Sequence, residues 1–187
     1  CKLNERVIQK KDSPILLTGY KSLNNVLGQQ LYNSNLQIGG PGIMGNNGVA
    51  HLLVDTDSQG IEKIIEWLSY QLVFKKNILS NSLVFDTAKN TDSIYHLLDG
   101  ILDKNSFFEL QENWAKSVII GRGRIGGIPL GIIANNPNTT QKTIPVDPGD
   151  LESTTKTINQ SGSLWYPDST LKTSQAFKDI SNENLPI

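Results

Sequence analysis

At 187 residues, the chain is long enough for one sizeable domain or for parts of two. Hydrophobic residues make up 37% and charged residues 19%, which is typical of a globular protein and excludes a disordered one. The net charge of −1 gives no general attraction to nucleic acid, and no apolar run approaches the roughly 20 residues of a membrane span. The single cysteine, Cys1, excludes a disulfide framework and a cysteine-rich zinc site, and it indicates a reducing compartment.

Both ends predict an internal piece of a longer protein. The sequence has no initiator Met and opens without a signal-peptide pattern. It closes on residues 184–187, Asn-Leu-Pro-Ile, which are typical of the first residues of a strand.

The first third predicts a strand, a helix and a loop. Residues 14–17, Pro-Ile-Leu-Leu, favour a short buried strand. Thr18 is a candidate cap for a helix that ends at Gly28. Residues 31–48 are rich in Gly and Asn, which predicts either a set of turns or backbone N–H groups presented to a ligand. The apolar face of the predicted helix consists of Tyr20, Leu23, Val26 and Leu27.

The middle of the chain carries the clearest helix signal. Residues 49–54 favour a strand, and residues 56–59 have a capping-box pattern that begins a helix over residues 60–70. We expect the apolar stripe of this helix to belong to the core. The stripe consists of Ile61, Ile64, Ile65 and Leu68. Residues 71–93 carry weaker signals and are interpreted as a surface connection between two subdomains.

Strand and helix signals continue to alternate in the second half, which predicts the α/β class. Asn105 or Ser106 could cap a helix containing Phe107, Leu110 and Trp114. Residues 117–137 then predict a hairpin, and residues 135–162 a long loop. A final helix begins at Pro167. The face predicted for it consists of Thr173, Ala176, Phe177 and Ile180.

The hairpin contains the spacing Gly121-x-Gly123-x-x-Gly126, which matches a dinucleotide-binding fingerprint. That fingerprint requires a helix after the glycines, whereas a second strand follows here, so we expect the glycines to shape a turn. Strand alternation places Arg122 and Arg124 on the same side. They could bind an anion or simply solvate the hairpin tip.

Side-chain catalysis finds little support in the sequence. No serine lies in a Gly-x-Ser-x-Gly arrangement. His51 and His96 lack the spacing of a metal-ligand pair, so no metal site is predicted; we expect His51 to be structural and His96 to be at the surface. Glu62 and Glu66 lie one turn apart on the polar face of a helix, where they are expected to be solvated.

Longer blocks of sequence point to a family. They are residues 14–19, 36–44, 47–52, 65–70, 103–109, 114–116, 121–131, 144–148 and 165–176. In this order the blocks resemble the carboxyltransferase domain of eukaryotic-type, multidomain acetyl-CoA carboxylase. The resemblance covers nearly the whole chain except residues 71–93.

The resemblance implies a crotonase-like fold built from ββα units arranged as a superhelix. Residues 1–98 would form the end of the N subdomain, and residues 99–187 the start of the C subdomain. The active site would lie where the N subdomain of one protomer meets the C subdomain of another, so a homodimer is expected. A cytoplasmic location is expected, with the plastid as the alternative.

The chemistry implied by the resemblance is carboxyl transfer from carboxybiotin to acetyl-CoA, giving malonyl-CoA for fatty acid synthesis. Biotin would arrive on a separate carrier domain, and ATP and Mg would act only through the parent protein's biotin carboxylase domain. Backbone amides are expected to stabilise the oxyanions, so no catalytic side chain is assigned. The residues expected to contact CoA or biotin are Gly39, Gly40, Gly48, Arg122, Arg124, Gly126, Gly127 and Lys172.

Two departures from the family's pattern keep alternatives open. Gln29 stands where the family usually has an arginine, and an amide offers no charged fork to an anion. Residues 71–93 lack the family's Asp-Pro-rich loop, and two glycine-rich active-site segments of the family lie outside the chain. We therefore expect the 187 residues alone to be inactive. The alternatives are a degenerate copy that serves as a scaffold or dimerisation module, and a carboxylase of propionyl-CoA.

Overall fold

A computed structural model describes residues 6–71, 93–162 and 164–187, and within them three small sheets are flanked by helices. The strands are β1 (Ile8–Lys10), β2 (Leu52–Val54), β3 (Phe108–Leu110), β4 (Val118–Ile125), β5 (Ile128–Asn135), β6 (Thr140–Ile144) and β7 (Lys156–Gln160). The helices are α1 (Tyr20–Leu27), α2 (Leu36–Gly39), α3 (Pro41–Met44), α4 (Asp57–Gln71), α5 (Ile94–Ile101) and α6 (Pro167–Asn182). This mixed content agrees with the α/β class.

The central sheet has the order β3-β4-β5 and is antiparallel throughout. The predicted hairpin is β4 and β5, joined at Gly126 and Gly127. Both glycines have positive φ, 60° and 81°, the requirement of a two-residue turn that matches the twist of the strands. A strand follows the glycines, so the dinucleotide-binding interpretation is excluded by the fold.

The central sheet is covered on both faces. Val118 and Ile120 of β4 pack with Tyr70 of α4 and Ala176 of α6. Ile119, which points the other way, packs with Leu98 and Leu102 from the α5 region and with Ile132 of β5. Because both faces are buried, β4 begins with three successive apolar residues, which its glycines and arginines follow.

Helix α4 begins as the capping pattern predicts, because the Gln59 N–H donates to Thr56 Oγ1 at 3.2 Å. The expectation that its apolar stripe belongs to the core is wrong. Ile61, Ile64, Ile65 and Leu68 are 43–62% exposed, and the helix instead turns Tyr70 and Trp67 toward the sheet. Periodicity identifies the apolar face of a helix, but it does not show whether another part of the chain covers that face.

The predictions for the first third are partly correct. Helix α1 ends at Gly28, whose φ of 69° is the left-handed conformation expected there. At the start of α1, the Tyr20 N–H donates to Asn35 Oδ1 at 2.9 Å, so Asn35 caps the helix in place of the predicted Thr18. The first strand is β1, parallel to β2, and residues 14–17 form no strand, since Pro14 has no N–H to donate and Leu17 is fully exposed.

Two predictions for the second half are wrong. Residues 107–114 form no helix, because Phe108–Leu110 pair with β4 and the chain bends at Asn105, where φ is +58°. Residues 135–162 form no long loop, since β6 and β7 pair as an antiparallel ribbon. Tertiary pairing overrides the local signals in both places.

Helix α6 begins at Pro167 as predicted and buries Ala176 and Ile180, although Phe177 is exposed. Ile180 lies against Gly131, where a side chain on β5 would collide with it. After α6 the chain forms no strand, but the Pro186 carbonyl accepts a hydrogen bond from the Gly131 N–H at 2.7 Å.

Three features concern the organisation of the whole chain. The boundary predicted between residues 98 and 99 falls inside α5 and stays a prediction. The connection predicted over residues 71–93 lies almost wholly outside the described residues. In the part that the structure describes, no helix is long and apolar enough to cross a membrane.

Candidate functional site

The residues predicted to contact a ligand lie in four places. Gly39 and Gly40 lie at the junction of α2 and α3, and Arg122 and Arg124 lie on one face of β4. Gly126 and Gly127 form the hairpin tip. Gly48 and Lys172 come from opposite ends of the chain and meet at one turn, residues 111–117, which we name the 111–117 turn.

Gly39 and Gly40 are buried, and their backbone groups have partners within the chain. Their N–H groups donate to the carbonyls of Asn35 and Leu36, each at 3.0 Å. The Gly39 carbonyl accepts from the Ile15 N–H and from Gln9 Nε2, both at 2.9 Å. A Cβ on Gly39 would collide with the Ile15 backbone. This geometry favours the interpretation of these glycines as tight turns.

Arg122 and Arg124 lie on the same side of β4, as strand alternation predicts. Arg122 is completely buried, and its Nε donates to Glu183 Oε2 at 2.6 Å. The guanidinium group also donates from Nη1 to the Gly121 carbonyl at 3.0 Å, while Nη2 has no partner among the described residues. Arg122 therefore has no exposed surface through which it could make the predicted direct contact with a ligand. Its anionic partner is the carboxylate of Glu183 in the same chain.

Arg124 is half-buried near the end of α4. Its guanidinium carbon lies 4.1 Å from the centre of the Tyr70 ring, within the range of a cation–π interaction. Its Nη2 donates to Ser69 Oγ at 2.8 Å. One edge of the guanidinium group is thereby fixed while part of the side chain is accessible, so Arg124 is a better candidate for an anion contact than Arg122.

The hairpin tip binds a carboxylate of its own chain. The N–H groups of Gly126 and Gly127 donate to Asp103 Oδ1 and Oδ2 at 2.8 and 2.7 Å. Both glycines are exposed. Two successive amides that converge on a carboxylate form an anion-binding turn, and Asp103 is its internal occupant.

The 111–117 turn brings Gly48 and Lys172 together. The Gly48 carbonyl accepts from Gln111 Nε2 at 2.8 Å, and a Cβ on Gly48 would collide with the Trp114 ring. The Lys172 Nζ donates to the carbonyls of Gln111, Trp114 and Val118 at 3.0, 2.8 and 2.8 Å. Lys172 is 1% exposed, so its predicted direct contact with a ligand also finds no exposed surface.

Burial determines the electrostatics around Lys172. Loss of solvation lowers the pKa of its ammonium group to about 8, although Glu109 and Asp168 oppose that shift. The three carbonyl oxygens provide the acceptors that a buried ammonium group needs.

In the part of the chain that the structure describes, three cavities border the 111–117 turn. Asn113 lines all of them, whereas Glu112 and Lys116 each line two. A cavity of about 120 Å³ extends toward β6, one of about 240 Å³ lies between β2 and β3, and one of about 260 Å³ lies beside α5. Amide, ammonium and carboxylate groups in these walls suit hydrogen bonding to a polar ligand.

Glu109 and Tyr95 at the third cavity were not singled out from the sequence. The Tyr95 hydroxyl group lies 3.2 and 3.1 Å from the two Glu109 carboxylate oxygens. Burial raises the pKa of the Glu109 carboxyl group, and Glu112 adds to the effect, while Tyr95 and Lys172 oppose it. In the structure Glu109 lies between two buried residues of β3, in a region for which the sequence predicted a helix.

The histidines and the paired glutamates agree with the sequence analysis. His51 Nδ1 accepts from the Val7 N–H at 3.1 Å, and burial, assisted by Arg6, lowers the pKa of the imidazole to about 4. His96 and Glu62 are exposed, and Glu66 pairs with Lys63 at 2.8 Å. Among the described residues no group of His, Cys, Asp and Glu could hold a metal ion.

The sequence and the fold both resemble those of known proteins. The family model described as "Carboxyl transferase domain" matches residues 1–187. Acetyl-CoA carboxylase 2 of Arabidopsis thaliana is 40% identical over 206 residues, covering 100% of this chain and 9% of that protein. The mitochondrial acetyl-CoA carboxylase of Saccharomyces cerevisiae (strain ATCC 204508 / S288c) is 42% identical over 210 residues, with the same coverage.

A solved structure shares the fold. Transcarboxylase 12S, determined as a hexamer with hydrolysed methylmalonyl-coenzyme A bound, superposes with a TM-score of 0.57 at 19% identity. The superposition covers 72% of this chain and 29% of that one. The chain thus spans less than a tenth of the length of the carboxylases and part of the transcarboxylase subunit.

Proposed function

Because the chain belongs to the carboxyl transferase domain family, we propose that it is part of the carboxyltransferase of an acetyl-CoA carboxylase. This enzyme would transfer a carboxyl group from carboxybiotin to acetyl-CoA and so form malonyl-CoA for fatty acid synthesis. The observation that carries the proposal is the 40% identity to acetyl-CoA carboxylase across the entire chain.

The cavities around the 111–117 turn suit the groups that this reaction handles. Asn113 and Lys116 provide an amide and an ammonium group to carboxylate or ureido oxygens, which only accept hydrogen bonds. Biotin, carried on a separate domain, would supply the carboxyl group, and ATP and Mg would act only in the parent protein's biotin carboxylase domain. The residues present are compatible with the polar end of biotin.

The predicted contacts differ in what they can do. Arg124, Gly126, Gly127 and Gly48 have accessible atoms and stay the proposed CoA- or biotin-side contacts. Asp103 would have to leave the two hairpin amides before they could bind an external anion. Gly39, Gly40, Arg122 and Lys172 would act from the interior, by holding the elements that line the site.

The architecture of the whole enzyme is also a proposal. It would be a crotonase-like superhelix of ββα units, with residues 1–98 in the N subdomain and residues 99–187 in the C subdomain. A homodimer would form the active site between subdomains of different protomers. The superposition on transcarboxylase 12S supports the fold. We propose the cytoplasm as the location, with the plastid as the alternative.

A direct assay tests the activity. The complete polypeptide that contains these residues, with its carrier biotinylated, should form malonyl-CoA from acetyl-CoA, bicarbonate and ATP. The 187 residues alone should form none from carboxybiotin. A complete polypeptide that carboxylates propionyl-CoA more efficiently would favour the alternative substrate, and one that carboxylates neither would favour the scaffold alternative suggested by Gln29.

A pair of variants tests the site. Arg124→Met should lower kcat/KM for acetyl-CoA about 10- to 100-fold, the value of one charged hydrogen bond. Lys178→Met, a change of charge at an exposed position of α6, is the matched control and should leave kcat/KM unchanged. Equal kinetics for the two variants would remove Arg124 from the proposed contacts.

A further inference from the structure

We propose that Lys172 is a positioning residue whose buried ammonium group holds the 111–117 turn in the shape that lines the three cavities. The holding contact itself follows from the geometry. Its importance for carboxyl transfer rests on the proposed function.

The contact uses every hydrogen of the ammonium group. Lys172 extends from α6, and its three hydrogen bonds of 2.8–3.0 Å reach the carbonyls of Gln111, Trp114 and Val118. Each of these acceptors lies more than 50 residues earlier in the chain. The ammonium group therefore connects the start and the middle of the turn, and the strand residue directly after it, to a separate helix.

The turn needs such support because its backbone is strained. Gln111 and Ala115 have φ values of +54° and +46°. These lie in the left-handed region, which is unfavourable for residues other than glycine. The Gln111 N–H donates to the His51 carbonyl at 2.8 Å, which fixes one end from the side of β2. The Lys172 ammonium group fixes the backbone in the same way from the side of α6, by donating to the carbonyls of Trp114 and Val118.

The conformation of the 111–117 turn determines where its side chains stand in the cavity walls. Asn113 and Lys116 lie between the carbonyls that Lys172 binds, so a change in the turn moves both side chains together. Displacements of about 1 Å at a binding group can cost about 100-fold in rate. Removing the Lys172 contact should thus affect catalysis without removing any group that touches a ligand.

The number of donors depends on the protonation of Lys172. An ammonium group has three N–H bonds and a neutral amine has two, so deprotonation removes one of the three hydrogen bonds between Lys172 and the carbonyls. Burial brings the pKa down to about 8. The charged groups that act on Lys172 are Glu109 from β3, Asp168 from α6 and Lys116 from the turn itself. The turn should accordingly loosen as pH rises through about 8.

Nuclear magnetic resonance of the 187-residue chain tests the holding contact. With ¹³C-labelled lysine, one Cε signal should titrate near pH 8, and the amide signals of residues 112–117 should shift with the same midpoint. Lys172→Met should abolish that lysine signal and the amide shifts, whereas the matched control Lys178→Met should retain both. Turn amides of the wild-type chain that do not follow the titration of Lys172, at whatever pH its midpoint falls, would overturn the proposal even if Lys172→Met did not fold.

Kinetics of the complete polypeptide test the consequence for function. Lys172→Met should lower kcat for malonyl-CoA formation at least tenfold with a smaller change in KM for acetyl-CoA. Lys172→Arg, which keeps its charge above pH 8, should show no loss of kcat between pH 7.5 and 9. Wild-type kcat and KM retained in Lys172→Met would refute the positioning role. If the wild-type polypeptide transferred no carboxyl group, the proposed function would fail while the resonance result still decided the contact.

Discussion

Arg122 Nε donates to Glu183 Oε2 at 2.6 Å, and the two side chains are only 1% and 5% exposed. The other carboxylate oxygen of Glu183 accepts from Arg6 Nη2, also at 2.6 Å. One carboxylate at the end of α6 thus joins a strand of the central sheet to the segment before β1. Asp179 adds a second contact to Arg6 at 2.7 Å.

Replacing Glu183 by Gln should destabilise the chain by about 3–5 kcal/mol, because it leaves the buried Arg122 guanidinium group without its carboxylate. Urea denaturation followed by circular dichroism measures this difference in the free energy of unfolding. The matched control is Glu62→Gln on the exposed face of α4, which should stay within about 0.5 kcal/mol. Equal effects of the two substitutions would show that the buried pair is not important for stability.

The stability of the chain should fall as pH drops from about 6.5 to about 4 because of His51. Burial and Arg6 hold the pKa of folded His51 at about 4, below the value of 6.5 for the unfolded chain, so acid protonates the unfolded state first. The loss attributable to this residue should approach about 3 kcal/mol.

The measurement is the difference in unfolding free energy between pH 7 and pH 4.5, in wild type and in His51→Asn. Asn can accept from the Val7 N–H but does not titrate in this range, so the variant should depend less on pH. His96→Asn, at an exposed position, serves as the control. An unchanged pH dependence in His51→Asn would contradict the prediction.

Gly48→Ala should destabilise the chain by about 2–4 kcal/mol. The backbone φ of +80° is unfavourable for alanine, and the new Cβ would collide with the Trp114 ring. Thermal unfolding measures the loss of stability, and tryptophan fluorescence, to which Trp67 and Trp165 also contribute, reports the displacement of the Trp114 ring. Gly100→Ala on α5 meets no atom within 4 Å and should be neutral or stabilising by up to about 1 kcal/mol. A Gly48→Ala chain as stable as Gly100→Ala would be inconsistent with the collision.

The exposed stripe of α4 should make the isolated chain self-associate. Ile61 and Ile65 are about 60% exposed and lie beside Ile64 and Leu68, forming an apolar patch on one helix face. The double substitution Ile61→Gln/Ile65→Gln should lower the apparent mass in concentrated solution with less than about 1 kcal/mol change in stability. Light scattering after size-exclusion chromatography measures that mass. The same mass for wild type and variant would show that the stripe does not mediate association.

Local signals predicted those elements whose ends carry special residues. Gly126 and Gly127 predicted the hairpin turn, Gly28 the end of α1, and Pro167 the start of α6. These positions are specified by backbone conformation, which neighbouring residues decide. Tertiary contacts decided the rest: Phe108–Leu110 form a strand because β4 is beside them, although their spacing fits a helix.

The residues of the candidate site were proposed from the sequence, but their arrangement was not predictable from it. The predicted contacts of Lys172 and Gly48 with CoA or biotin stay predictions. In the structure both residues contact the 111–117 turn instead of open solvent. Sequence offers no signal for a lysine whose acceptors are three backbone carbonyls. It likewise cannot show that the Asp103 carboxylate occupies the hairpin amides.

The contact of Arg6 with Glu183 also imposes an order on folding. The two residues are 177 positions apart, so a ribosome adding about 5–20 residues per second needs roughly 10–35 s between them. Arg6 lacks its Glu183 partner throughout that interval, and Arg122, which precedes Glu183 by 61 residues, lacks it for the last third. Strand β1 can pair with β2 before α6 exists. Synthesis that pauses before residue 183 would extend the lifetime of a half-assembled chain with its guanidinium groups still in water.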